Sequence, residues 1–212
     1  MLRAILGVVA LSLSLAVASA WQLSQPAQVV EEMAPKRASL SGILQYDYRT
    51  LNDLVSAAPV IVVAKAESAR TVQSGRLPFT ETTTVVRDVL KGSVRAGELI
   101  RVLETGGLYT PIARDGSRPG LPDQEVDFES VPVMREGASY LLFLRPYLGD
   151  VVQGGFAVLG VYQGKMEVTA DGRVAFAGAA DKLAQPTFAV LRYMDGRRLE
   201  DVVREVRASF GR

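Results

Sequence analysis

Four acidic residues alternate in the middle of the chain: Asp123, Glu125, Asp127 and Glu129. In an extended segment, residues two apart project to one side. Such a row could do two kinds of chemistry. Carboxylate oxygens suit Ca²⁺, and paired carboxylates about 5–9 Å apart cleave glycosidic bonds. The order D-x-E-x-D-x-E lacks the glycine and the distal glutamate of an EF-hand loop. A sugar platform would need aromatic side chains, yet Trp21 is the only tryptophan. The four residues are therefore read as a solvated acidic face. They are the only candidate cation ligands, and no metal or cofactor is assigned.

Most other chemistries are excluded by residue type. The chain has no His and no Cys. The usual general base, the commonest zinc ligand and the reactive thiol are all missing. No G-x-S-x-G or S-x-x-K sequence supplies an activated serine. Gly154-Gly155 and Gly164-Lys165-Met166 miss the P-loop pattern G-x-x-x-x-G-K-[ST]. Lys91 and Lys165 adjoin glycines and read as solvated turn lysines. Tyr46, Tyr48, Tyr109 and Tyr147 read as sealing the edge of a core with their hydroxyls in water, the alternative being a recognition surface. No catalytic residue is assigned.

The first twenty residues, MLRAILGVVALSLSLAVASA, have the organisation of a secretory signal. Arg3 is the positive n-region, Ala4 to Ala18 the apolar h-region, and Ala18-Ser19-Ala20 a small-residue cleavage site. Cleavage between Ala20 and Trp21 is expected. A helix over the h-region would rise roughly 22 Å at about 1.5 Å per residue, short of a roughly 30 Å hydrocarbon core. The absence of cysteine excludes lipid attachment at a lipobox. The expected location is periplasmic or extracellular, with no stable membrane insertion once the signal is gone. The formal charge is +1, and Arg3 is the signal's only charge, so the remainder is balanced. A balanced chain offers no long-range field for nucleic acid.

These residues must be held by a mainly β body. Residues 21–45 contain Pro26 and Pro35, lack a sustained period and read as a flexible leader. The single domain is expected over 46–212. Thr50 can cap a short helix with Leu51, Leu54 and Val55 on one face. Val60 to Ala66 reads as a buried strand, residues 68–78 as a polar connection, and Phe79 to Leu90 as a long, bent strand. Leu99 to Leu103 is a third strand. A long flap follows over 108–137. Ser139 to Leu144 is the most apolar strand, and shorter runs follow at Phe156–Leu159, Glu167–Thr169 and Val174–Phe176. Asp171-Gly172 predicts a hairpin with a type I′ turn. Leu199, Val202, Val203, Val206 and Phe210 share one face of an amphipathic C-terminal helix that packs on the sheet, and Glu200 can pair with Arg204. Strands without intervening helices imply antiparallel pairing and a small barrel that hides its edges.

The motifs in order are PVIVVAKAES at 59–68, VLKGS at 89–93, GELIRVLETGG at 97–107 and EGASYLLFLRP at 136–146. This series resembles a group of exported bacterial proteins of unknown function, similar in fold to the netrin-module and metalloproteinase-inhibitor family. The resemblance covers roughly 50–178 and implies an OB-like barrel. Animal members of that superfamily block a protease zinc with an N-terminal Cys, which this chain lacks, so that activity does not carry over. The expected function is an exported, non-catalytic binding domain for a protein or envelope component. The alternatives are a carboxylate-dependent, possibly Ca²⁺-assisted hydrolase built on the flap, and an envelope protein anchored by its signal.

Overall fold

The computed structural model describes residues 36–40, 47–74, 77–113, 115–117, 120 and 122–210. The signal segment, with Ala20 and Trp21, lies outside them. So does Tyr46.

Two apolar runs organise the body. β1 (Lys36–Leu40) precedes helix α1 (Leu51–Ala57), β2 (Val60–Ser74), β3 (Leu77–Lys91), β4 (Leu99–Thr105), β5 (Gly107–Tyr109), β6 (Gln124–Phe128) and β7 (Ser139–Pro146). In β2, Val62 and Ala64 point into one apolar cluster while Ile61 and Val63 point into another. β7 does the same, with Leu142 and Leu144 on one side and Leu141 and Phe143 on the other. Burial on both faces explains why these strands are continuous apolar runs rather than alternating ones.

The remaining elements are β8 (Phe156–Val158), β9 (Lys165–Val168), β10 (Val174–Ala175), α2 (Ala189–Met194) and α3 (Leu199–Ala208). One sheet has the order β10-β9-β7-β2-β3-β4-β8, and an additional β7–β8 pairing partly closes it into a ring. Within it β7, β2, β3 and β4 form a Greek key, because β7 returns by a long connection to lie beside the first strand of a meander. β8 then bridges β4 in parallel and β7 antiparallel. The β2–β3 ladder shifts register at Ile61/Val62, Val63/Ala64 and Ala66/Ser68. Such irregularities bend and twist a long ribbon, which lets it wrap the ring. The stretch 68–74, expected as a polar connection, continues β2 because it pairs residue by residue with 77–83.

Outside the ring, α1, α2 and α3 cover the second cluster. Thr50 caps α1 by a capping box with Asp53, and Leu51, Leu54 and Val55 are buried as expected. The Thr50 hydroxyl and N–H hold the Asp53 carboxyl below its ordinary range. In α3, Val202 and Val206 are fully buried. Arg204 pairs with Asp201 rather than with Glu200. Among the described residues, no helix is long and apolar enough to cross a membrane.

Three expectations are corrected by tertiary pairing. Lys36–Leu40, within the presumed leader, forms a strand parallel to Gln124–Phe128. The flap contains β5 and β6, so a second sheet of order β1-β6-β5 stands beside the ring. Not all pairings are antiparallel: β1–β6 and β4–β8 are parallel. The hairpin around Asp171-Gly172 is present between β9 and β10. Its turn is longer than the two-residue form: the Thr169 N–H bonds to Arg173 O at 2.8 Å, and Gly172 has φ +76° while Asp171 is not left-handed.

Candidate functional site

β6 places its acids by alternation. Val126 points inward and is buried. Glu125 and Asp127 lie on the opposite face and line a cleft of about 710 Å³. The cleft also takes in Ser39 of β1, Ser130, the segment from Pro132 to Arg135, Glu167 of β9, and Ala177 to Ala179. A second hollow of about 400 Å³, with Arg70, Thr80 and Leu108 in its wall, shares Glu125 and Val133 with the first. The two hollows meet at Glu125 and Val133 beside β6.

The rim of this cleft is strained. Glu129 and Ser130 have φ of 52° and 61°. Val131 N–H donates to Phe128 O at 3.0 Å, which closes a two-residue turn with both central residues left-handed. That is the backbone of a type I′ turn, built without glycine or asparagine. Each such residue costs about 1–2 kcal/mol, so surrounding contacts must hold it. The Glu129 N–H donates to Leu40 O at 2.7 Å, and the Ser130 N–H donates to Ser39 Oγ at 3.0 Å. Lys182 Nζ donates to Glu129 Oε2 at 3.2 Å. Two of these three staples come from β1.

The wall from Pro132 to Met134 is fixed by a buried ion pair. Lys165 Nζ donates to Glu104 Oε1, and to Pro132 O at 2.6 Å. Glu104 Oε2 accepts the Met134 N–H at 2.8 Å. Both side chains are 3% exposed. The pair therefore ties β4 and β9 to the cleft wall. One residue on, the Arg135 N–H donates to the Tyr140 hydroxyl at 2.8 Å. The Arg135 guanidinium grips both oxygens of Glu167, at 2.7 and 2.8 Å. Hydrogen bonding and charge from Glu167 raise the Arg135 pKa, and burial pushes the Tyr140 hydroxyl up from its ordinary value.

Behind the opposite wall, Tyr162 and Phe188 stack at 4.7 Å and Phe176 meets Phe188 edge-on at 5.6 Å. A Cβ on Gly178 would come within 3.0 Å of Ser130 O, so the 177–179 segment is seated against the strained turn. Fully buried Gln163 joins three segments: its amide donates to Asp47 Oδ1, Tyr48 O and Thr187 O, and its oxygen accepts the Tyr48 N–H.

Of the four alternating acids, the structure brings Glu125 and Asp127 together on one wall. Asp123 precedes β6 outside the lining of the cleft, and Glu129 sits in the turn against Lys182. Among the described residues, no three His, Cys, Asp or Glu side chains converge as a metal site. The turn-lysine reading is corrected for Lys165, which is 4% exposed and a cornerstone of the wall. Lys91 Nζ donates to Val55 O at 2.8 Å and lies 5.2 Å from the Phe210 ring centroid. Tyr48 is half-buried against the helix-covered core, Tyr109 belongs to β5, and Tyr147 lines a small hollow of about 130 Å³ beside Arg145. Sequence reasoning missed Ser39, Ser130, Lys182 and Glu104. Only Glu104 left a signal, an acid inside the apolar run LIRVLET. The chain matches no family model, and no curated protein matches it at a significant level.

Proposed function

We propose that this chain is an exported, non-catalytic binding module of OB-like architecture, and that its cleft seats an extended peptide segment of a partner protein. The observation that carries the reading is the pair of adjoining hollows that meet at Glu125 and Val133 beside β6. Their walls combine small apolar residues (Ala38, Pro132, Val133, Ala177, Ala179) with hydroxyls and carboxylates. Such a surface takes a main chain with small side chains and offers acceptors for its N–H groups. The five-stranded Greek-key ring supports the OB-like reading. The absence of His and Cys from the sequence supports a contact role over bond-making.

Binding is tested with an array of extended peptides on the purified protein. Wild type is expected to retain a subset, and Val133→Trp, which fills the cleft, is expected to lose that subset while keeping its circular dichroism. Retention of no peptide overturns the reading. Cleavage of retained peptides, lost in a Glu125→Gln/Asp127→Asn variant, would replace it with the hydrolase. Export is tested by mass spectrometry of the secreted form, expected to begin at Trp21; a retained segment 1–20 makes it an anchored envelope protein.

A further inference from the structure

Strand register lines up one residue from each of five strands. Arg70 of β2 stands opposite Glu81 of β3, Glu81 opposite Leu103 of β4, Leu103 opposite Ala157 of β8, and Ala157 opposite Arg145 of β7. Directly paired residues share a face of the sheet. These alternate with Val102, Leu144 and Val158 of the apolar cluster, and Leu103, though 4% exposed, belongs to neither cluster. The two ends of the row differ. At one end the buried Glu81 carboxylate takes Arg70 at 2.6 Å and Arg101 at 3.8 Å. At the other end Arg145 is exposed, and among the described residues its guanidinium has no ion-pair or hydrogen-bond partner.

That free end borders the hollow of about 130 Å³. Phe79, Leu103, Ala157 and Val161 line it with apolar surface, and Arg145 and Tyr147 bring a guanidinium and a phenol. Glu104 also borders it, but both its oxygens are taken, by Lys165 Nζ and by the Met134 N–H. Glu81 lies three strand spacings of about 4.8 Å from Arg145 and is claimed by its own arginines. The wall at Val161 is fixed in advance. Val161 has φ 63°, an outlier for a β-branched residue. The Tyr162 N–H donates to Gly160 O at 2.7 Å, and the Gly164 N–H to Leu159 O at 2.9 Å. Phe143 of β7 locks the same turn, donating to Gly164 O and accepting from the Leu159 N–H.

We propose that this hollow binds a small apolar monocarboxylic acid, its carboxylate on Arg145 and its alkyl chain over Leu103 and Ala157. A guanidinium presents two parallel N–H donors that match a carboxylate. The volume is well below the roughly 300–1,000 Å³ of drug-sized sites, which limits the acid to about four to six carbons. A wall already held in place lowers the ordering cost of binding. The inference does not depend on what the cleft beside β6 binds.

The test is an NMR titration of the full chain with hexanoate, with hexanamide as the uncharged control. Wild type is expected to show saturable shifts around Thr105, Ala157 and Val161, with a Kd near or below about 1 mM, ordinary for a ligand of this size. Hexanamide should bind at least about ten-fold more weakly, as loss of a charge-assisted pair implies. Arg145→Met should weaken hexanoate by a similar factor and leave hexanamide unchanged. Ala157→Leu, which fills the hollow and keeps the cation, should abolish both. No saturable shift in wild type overturns the site, as do shifts centred on the cleft beside β6. Equal affinity for acid and amide, or an unchanged Kd in Arg145→Met, overturns the carboxylate. A peptide with a free C-terminus that binds more tightly than hexanoate, and not as its amide, overturns the small acid in favour of a protein terminus.

Discussion

The ring of β2, β3, β4, β7 and β8 is filled by aliphatic side chains, with Val62, Val102, Leu142 and Leu144 fully buried. The sheet β1-β6-β5 beside it is held by hydroxyls, carboxylates, a buried lysine and main-chain bonds around one buried valine, Val126. The first is stabilised by area removed from water, a non-directional effect that many sequences supply. The second depends on a few directional contacts, each of which costs free energy if one partner is removed. A binding surface placed on the second region can present polar groups in fixed positions while the first keeps the domain folded.

The largest effects are expected where each region is broken at its own weak point. Leu142→Ala in the ring should cost about 2–5 kcal/mol through a cavity. Lys165→Met should cost about 3–5 kcal/mol, because Glu104 is left buried without its cation. Urea unfolding separates the causes: adding Glu104→Leu to Lys165→Met is expected to recover much of the loss, whereas no polar substitution rescues Leu142→Ala. A double variant as unstable as Lys165→Met alone would show that lost packing, not an orphaned charge, explains the cost.

The joint between the regions is Tyr140, whose ring lies in the apolar cluster with Val62, Leu142 and Leu144 and whose hydroxyl accepts the Arg135 N–H of the cleft wall. Tyr140→Phe leaves that donor without its acceptor, at about 1–3 kcal/mol. Burial favours the neutral phenol in the folded state, so its folded pKa lies above the ordinary 10.0. Its contribution is complete below pH 10 and is lost as pH rises beyond that towards the folded value. Stability measured from pH 9 to 11 should fall for wild type more steeply than for Tyr140→Phe. Parallel curves would sink this account of the joint.

The smallest effects come from the two turns. Ser130→Gly is expected to stabilise by about 0.5–1 kcal/mol, since it relieves a left-handed residue and keeps the N–H bond to Ser39. Gly172→Ala should destabilise by about 1 kcal/mol: its added Cβ meets no atom within 4 Å, so only the φ of +76° opposes it. Thermal unfolding that moves both variants in the same direction would show that backbone conformation does not govern these turns.

The ring was largely legible because its strands carry their own signal. The runs at 60–66 and 139–144 are too apolar for anything but burial, and α3 shows its period in Leu199, Val202 and Val206. The hairpin at Asp171-Gly172 was legible for the same local reason, glycine at a left-handed position. The type I′ turn, by contrast, falls at Glu129-Ser130, where neither residue favours it. Its conformation is imposed by Leu40 and Ser39, about ninety positions away in the chain. Lys165 looked like any turn lysine because its partner, Glu104, is brought to it by the β4 and β9 positions alone.

From composition and period alone come a β-rich, cysteine-free body, a capped helix before the first strand and an amphipathic helix at the end. Those features depend on propensity and on burial, which are written residue by residue. The second sheet, the parallel strand from 36–40, the buried Glu104–Lys165 pair and the cleft beside β6 were decided by tertiary structure. Each rests on partners far apart in sequence, and a polar residue shows its role only when its partner stands beside it.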